Sequence, residues 1–143
     1  MILTHYFPYI INRVAGELSS SESKVLAEFD LNLQAWRVLV ALDEHDGQRV
    51  TDLSGVSLTE ISTLSRLLDN MEERGLVEKR RARPNARSVT VHISATGRRV
   101  VEETIPEALR YQDTLLEDID DKDLAITRQV LNQLYETALL HKW

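Results

Sequence analysis

The chain of 143 residues contains no cysteine, which excludes disulfide bonds, thiolate metal ligands and a cysteine redox switch. It also lacks any run near the roughly 18 apolar residues that a membrane-spanning helix requires. The N-terminus has no basic stretch leading into an apolar core and a small-residue cleavage site, so no secretory signal is visible. From these absences we expect a cytoplasmic protein without a membrane partner.

The residue patterns of common enzyme sites are absent as well. There is no glycine-rich phosphate loop and no nucleophile elbow. The acidic residues around Asp120 are better explained as partners of a helix dipole than as paired catalytic carboxylates. We therefore predict no enzyme, no catalytic residues, no cofactor and no metal ion. The histidines in particular show no metal-ligand spacing: His5, His45, His92 and His141.

Positive charge is scarce overall but concentrated in one segment. The formal net charge is −6, yet residues 78–99 carry seven basic groups and one acidic group, which gives +6. Residues 1–77 and 100–143 are each at −6. Binding to a polyanion needs a local basic footprint more than a positive total, so this segment is compatible with a DNA partner. The alternative is a solvated charged hairpin.

Apolar periodicity and capping residues predict a mainly helical fold. The predicted N-caps are Asn32, Thr51, Ser94 and Asp120. A serine run at 19–21 is expected to break the first helix into two, and Pro106 is expected to bend the fifth. The six predicted helices cover residues 8–28, 33–44, 51–56, 60–74, 95–118 and 120–141.

A change of period after the fourth helix predicts a small β-hairpin. Gly75 has the position of a left-handed helix stop. Residues 76–94 then alternate apolar and polar side chains on both sides of a polar turn at 83–87. The fold class is therefore α+β: a winged helix-turn-helix, with further helices at both ends of the chain.

The fourth helix carries the candidate DNA contacts. Its apolar positions Leu64, Leu67, Leu68 and Met71 follow the spacing of one helix face, which turns the opposite face to solvent. Short polar side chains and one arginine on a helix entering the major groove can contact base edges and phosphates. Arginines of the hairpin can reach the backbone or the minor groove. The predicted DNA-contacting residues are Ser62, Thr63, Ser65, Arg66, Asn70, Arg81, Arg83 and Arg87.

The order of these elements resembles the MarR family of winged helix-turn-helix regulators. The resemblance covers essentially the whole chain and is most specific from Leu31 to Gly97. The matching segments are Leu33–Leu39 in the second helix, Ser62–Leu68 in the fourth, Glu73–Val77 after it, Asn85–Arg87 in the wing and Ile93–Gly97 before the long fifth helix.

The resemblance implies an obligate homodimer that binds a near-palindromic operator. It implies a helical dimerisation region at 1–30 and 95–143, and a DNA-binding lobe at 31–94. Arg66 would contact the major groove and Arg87 the minor groove. Two positions depart from the family pattern: Asn85 replaces the usual wing aspartate, and Leu58 replaces the usual glycine of the helix-turn-helix turn.

Apolar residues on the first and last helices also favour dimerisation. A wing domain of ~65 residues offers little surface to cover both sets, so a second copy of the chain is the natural cover. A twofold dimer would then separate its half-sites by ~34 Å. The residues concerned are Tyr6, Ile10, Val14 and Leu18 on the first helix, and Leu124, Val130, Leu131, Leu134, Tyr135 and Ala138 on the last.

The family architecture also implies a ligand pocket between the dimer base and the DNA-binding lobe. Arginine beside aromatic rings suits a small aromatic carboxylate or a larger acyl conjugate. Alternatively, the aromatics pack in the dimer core and the arginines form structural ion pairs. The candidate ligand residues are His5, Tyr6, Tyr9, Asn12, Arg13, Trp36 and Arg37.

Two functions remain open from the sequence. The first is a homodimeric, ligand-responsive DNA-binding regulator of transcription, more often a repressor than an activator in such a family. The second is a winged-helix module that acts through protein–protein contacts without DNA, which the acidic flanks of the chain would suit.

Overall fold

A computed structural model describes residues 2–81 and 88–141. It confirms the predicted mainly helical fold with a small antiparallel sheet. A short 3-10 turn at Leu3–His5 precedes the first helix. The helices are α1 Phe7–Ala27, α2 Leu33–Glu44, α3 Val50–Ser57, α4 Ile61–Glu73, α5 Ala95–Leu116 and α6 Asp121–Leu140, and the strands are β1 Gln48–Arg49, β2 Val77–Arg81 and β3 Val89–Ile93.

Three of the predicted helix caps are confirmed by hydrogen bonds. Asn32 Oδ1 accepts from the Ala35 amide at 2.8 Å at the start of α2. Ser94 Oγ accepts from the Gly97 amide at 3.0 Å before α5, and Asp120 accepts from the Lys122 amide at 2.9 Å before α6. These side chains satisfy backbone donors that a helix start leaves without partners.

Two local predictions are wrong. The serine run does not break the first helix, because Ser21 Oγ donates to the Glu17 carbonyl at 2.6 Å and its hydroxyl is satisfied within α1. Thr51 does not cap the third helix but lies inside it. The N-cap of α3 is Arg49, whose backbone N–H donates to Asp52 Oδ2 at 3.3 Å.

The sheet has the order β1-β3-β2, with all neighbours antiparallel. The hairpin of β2 and β3 was predicted, and its register aligns Val77 with Ile93 and Arg81 with Val89. Strand β1 was not predicted. Its two residues pair with β3, Gln48 opposite Val91, and so join the start of α3 to the hairpin.

The hydrophobic core fixes the orientation of α4 relative to α2, α3 and the sheet. Gly97 at the start of α5 lies so close to the sheet that an added Cβ would overlap the Leu76 carbonyl oxygen. The fully buried side chains of this core include Leu39 and Leu42 of α2, Leu53 of α3, Leu64, Leu68 and Met71 of α4, and Val91 of β3.

The chain divides into two compact units, Met1–Leu109 and Arg110–Trp143. The core described above belongs entirely to the first unit. In the second unit, no described residue of α6 is buried. Pro106 lies inside α5, which continues to Leu116.

Candidate nucleic-acid interface

Helix α4 is the second helix of a helix-turn-helix. Three residues separate it from α3, which is the short connection typical of this motif. At its C-terminal end Gly75 adopts φ +71°. The amides of Gly75 and Leu76 donate to the carbonyls of Glu72 and Met71, both at 2.9 Å, and this pattern ends the helix as predicted.

The polar face of α4 is exposed, as the wheel geometry predicted. Its five candidate contacts are all exposed to solvent. Among the described residues, Arg66 has no hydrogen bond and no ion pair. Its five N–H donors are therefore available to a ligand. The exposed candidates on this helix are Ser62, Thr63, Ser65, Arg66 and Asn70.

The first turn of α4 offers backbone amides without side-chain caps. The N-cap Glu60 makes no side-chain capping bond, and the first intrahelical bond runs from the Leu64 amide to the Glu60 carbonyl at 2.8 Å. The amides of the first turn thus lack side-chain caps at the positive end of the helix dipole. Because this end also bears Ser62 and Thr63, it combines several donors in one exposed turn.

The turn before α4 is built from hydroxyl groups instead of glycine. Leu58 adopts the left-handed conformation, φ +55° and ψ +40°, which is unusual for a residue with a branched side chain. Ser54 Oγ donates to the Thr59 carbonyl at 2.6 Å, and Thr59 Oγ1 donates to the Ser57 carbonyl at 3.1 Å. These bonds hold the turn at the position where the resemblance to the MarR family implies a glycine.

Only part of the predicted wing contact falls within the described residues. Arg81 is exposed at the end of β2, opposite Val89. Among the described residues it has no ion pair. The other predicted wing contacts, Arg83 and Arg87, lie outside the described residues, as does Asn85.

Much of the positive charge in the basic segment is already paired within the chain. Lys79 Nζ forms an ion pair with Asp69 of α4, and Glu72 Oε2 lies 3.9 Å away. Arg80 pairs with Glu78 at 2.9 Å. The pair of Lys79 and Asp69 was not predicted, because residues ten positions apart meet only when the hairpin packs against α4.

A second missed contact joins the Asp46 turn to the base of the hairpin. Asp46 Oδ1 accepts from the Ile93 amide at 2.8 Å, and Asp46 Oδ2 lies 3.0 Å from His92 Nδ1. The other ring nitrogen, Nε2, lies 3.0 Å from Thr90 Oγ1. Two opposing effects act on the pKa of Asp46. Partial burial alone would raise it, but the hydrogen bonds from Ile93, His92 and Gly47 outweigh burial, and the net pKa lies below its usual value.

The MarR family profile matches residues 31–89, which include the helix-turn-helix and most of the hairpin. A MarR-family regulator from Silicibacter pomeroyi has the same fold with a TM-score of 0.82 and 27% identity. The alignment covers 99% of this chain and 95% of that one. Over residues 31–89 the chain is therefore similar to the MarR family.

The chain is also similar to a curated repressor and to a regulator solved with a ligand. The HTH-type transcriptional repressor IacR of Pseudomonas putida is 29% identical over 97 residues, which are 67% of this chain and 58% of IacR. The chain thus spans less than two thirds of that relative. CouR from Rhodococcus jostii RHA1, solved bound to p-coumaroyl-CoA, is 22% identical with a TM-score of 0.82, and the alignment covers 94% of both chains.

Within the described residues, three of the predicted ligand residues are divided between two cavities. Trp36 and Arg37 line a surface cavity of about 310 Å³. Arg13 lines a different cavity on α1 and lies 5.7 Å from the centre of the Tyr9 ring. The remaining residues of the first cavity were not predicted, and they are Val40, Ala41, Glu44, His45, Gln48 and Val56.

Trp36 also has a structural role. Its indole Nε1 donates to Thr104 Oγ1 at 3.0 Å. The Thr104 hydroxyl in turn donates to the Val100 carbonyl at 2.8 Å. These two bonds join α2 to α5. Trp36 therefore has a structural role, as the alternative interpretation of the aromatic residues had it.

Neither a cluster of metal ligands nor a membrane-spanning helix occurs in the described residues. Within residues 2–81 and 88–141, no group of three His, Asp or Glu side chains is arranged to hold a metal ion. In the same segments no helix combines the length and the apolar composition needed to cross a membrane.

Proposed function

We propose that this protein is a homodimeric repressor of the MarR type that binds a near-palindromic operator and releases it when a small ligand binds. The observation that carries the proposal is the exposed Arg66, unpaired within residues 2–81 and 88–141, among hydroxyl side chains on a helix whose opposite face is anchored in the core. A guanidinium in that position can donate two hydrogen bonds to O6 and N7 of guanine.

The neighbouring hydroxyls supply contacts that position the helix. Ser62 and Thr63 lie in the first turn of α4, where the backbone amides and the helix dipole also favour a phosphate. Ser65 and Asn70 flank Arg66. Asp69 and Glu73 lie farther along the same face and would repel phosphates, so we propose that α4 enters the groove by its N-terminal end.

The wing completes the proposed contact. Arg81, exposed and unpaired among the described residues, extends the basic surface from the end of β2. We propose that Arg83 and Arg87 continue it, with Arg87 in the minor groove or on its phosphates.

Exposed apolar residues on each unit support dimerisation. Tyr6, the N-cap of α1, and Ile10, Val14 and Leu18 within α1 are between 38% and 51% exposed. In the second unit, α6 exposes a separate apolar set, and the burial of such faces favours association. We propose that the terminal segments 1–30 and 95–143 form the dimer. The exposed residues of α6 are Ile126, Val130, Leu131, Leu134, Tyr135, Leu139 and Leu140.

The cavity at Trp36 is our candidate effector site. Its wall is largely apolar, and both Arg37 and Glu44 line it. We propose that an aromatic ligand packs on the apolar wall and that an acidic group on that ligand would pair with Arg37. CouR, which shares the fold, binds an aromatic acyl conjugate of this general kind. In the proposed dimer, the distance between the two α4 helices must match the two operator half-sites. A ligand that binds more tightly to a dimer with a different distance would shift the population toward that form and weaken operator binding.

Substitution of Arg66 tests the proposal. Arg66→Ala should weaken binding to a selected operator by about 1–3 kcal/mol and relax the preference at one base pair. Arg66→Lys is the matched control, since it keeps the charge but loses the planar fork and so should retain affinity for random duplex DNA. Equal losses on operator and random DNA would refute the base-contacting role.

A salt titration decides between this proposal and the protein-binding alternative. For the wild-type chain and duplex DNA, the logarithm of the binding constant should fall linearly with the logarithm of the salt concentration. Arg87→Ala should flatten that dependence. Absence of salt-dependent binding would favour the winged-helix module that acts through protein contacts.

A further inference from the structure

One apolar side chain is exposed at the tip of the candidate recognition helix. Ile61 is the first residue of α4 and is 51% exposed. Within the described residues of α4, it is the one exposed large apolar side chain, because Leu64, Leu68 and Met71 are buried and Leu67 is half-buried. Its exposed neighbours in the first turns, such as Ser62 and Ser65, are polar.

Exposure alone is ordinary, since single apolar residues occur on most protein surfaces. The position of Ile61 is what matters. A recognition helix contacts base edges with its N-terminal residues. A side chain as short as isoleucine can touch a base edge only from the end of the helix that enters the groove most deeply. Ile61 occupies the N-terminal end of α4, which the proposed function places deepest in the groove.

The chemistry of the side chain limits what it can contact. Isoleucine has no hydrogen-bond donor or acceptor, so it cannot recognise guanine, adenine or cytosine by their polar edges. In the major groove only thymine presents a methyl group, at C5, and apolar side chains pack against it. A phosphate is excluded as its partner for the same reason.

We infer that Ile61 is a specificity-determining residue that packs against the C5-methyl group of a thymine in each operator half-site. The inference rests on the proposed DNA-binding function and adds to it a second kind of contact. Arg66 would recognise guanine by hydrogen bonds, and Ile61 would recognise thymine by an apolar contact from the same helix.

Replacing thymine by deoxyuridine removes only the methyl group and leaves the base-pairing edge unchanged. We would select an operator from random duplexes, replace symmetric pairs of thymines one at a time, and measure the Kd for wild type and Ile61→Ala. At one pair of positions, deoxyuridine should weaken wild-type binding about fourfold per half-site, the value for one methyl-sized group. Ile61→Ala should bind the thymine and deoxyuridine duplexes equally.

Two further variants make the result specific. Ile61→Val keeps part of the apolar contact and should keep most of the thymine preference. Leu58→Ala is the matched control, because Leu58 is 72% exposed but lies in the turn before the helix. It should leave the thymine preference intact. Loss of the preference in Leu58→Ala instead of Ile61→Ala would assign the contact to Leu58 and overturn the inference.

The outcomes separate the inference from the proposed function. If an operator is selected but deoxyuridine affects wild type and Ile61→Ala equally at every position, the DNA-binding proposal stands and the inference is wrong. If no duplex is enriched at all, both are overturned.

Discussion

The ammonium of Lys79 on strand β2 is paired with the carboxylate of Asp69 on helix α4. The pair joins the hairpin to the polar face of the recognition helix. Lys79 also donates its backbone N–H to Glu72 Oε1 at 2.9 Å, so the strand is anchored to the helix at two points. As a result, a basic residue of the positively charged segment is withdrawn from contact with DNA.

Asp69→Asn should release that charge. We expect tighter binding to duplex DNA of any sequence, because Lys79 becomes available for one more phosphate in each half-site. The plot of log K against log salt should become steeper by roughly 0.9 for each added contact. Fluorescence anisotropy at several salt concentrations measures both effects.

Glu73→Gln is the control for Asp69→Asn. It makes the same change of charge on the same face of α4, but among the described residues Glu73 forms no ion pair. It should tighten binding less and leave the salt slope nearly unchanged. Equal effects of the two substitutions would attribute the gain to net charge alone.

The bond between Asp46 and the base of the hairpin predicts acid sensitivity. The pKa of Asp46 is lowered in the folded chain. Its contribution to stability is therefore present above the unfolded pKa of about 3.9 and is lost as the pH falls through the lowered folded value. Asp46→Asn should lower the free energy of unfolding by about 1 kcal/mol at pH 7, a value that allows for solvent screening.

Urea unfolding of wild type and Asp46→Asn at pH 7 and near pH 3 checks this prediction. The difference between the two proteins should shrink in acid. Asp43→Asn serves as the comparison, because Asp43 forms a more exposed pair with Arg98 at 2.9 Å and should contribute less. A difference between wild type and Asp46→Asn that does not change with pH would contradict the role of the carboxylate.

The left-handed conformation of Leu58 predicts a stabilising substitution. Leu58→Gly should raise the free energy of unfolding by roughly 0.5–1 kcal/mol, since relief of the strained backbone exceeds the entropy cost of glycine. Little packing is lost because the side chain is largely exposed. Leu58→Ala keeps the strain and should have little effect. A lower thermal midpoint for Leu58→Gly would show that the leucine side chain stabilises the turn.

Local signals predicted much of this fold. The bounds of α2 follow from Asn32 and the apolar spacing after it, and the structure confirms them. Gly75 and Ser94 correctly marked the end of α4 and the start of α5. Such features are determined by contacts between residues close in sequence, so the sequence alone contains them.

Contacts between distant segments escaped the sequence analysis. Strand β1 has two residues and no alternation of its own, and it exists because β3 pairs with it. The bond between Asp46 and His92 spans 46 positions. The candidate cavity likewise combines Trp36 with Val56 of a different helix, whereas the prediction had grouped Trp36 with the start of α1.

Selection of bound sites from random duplex DNA tests the central claim most directly. We predict enrichment of an inverted repeat whose half-site centres are about one helical turn, ~34 Å, apart, bound by two copies of the chain. Failure to enrich any sequence, or enrichment of a single half-site without symmetry, would contradict the proposed homodimeric regulator.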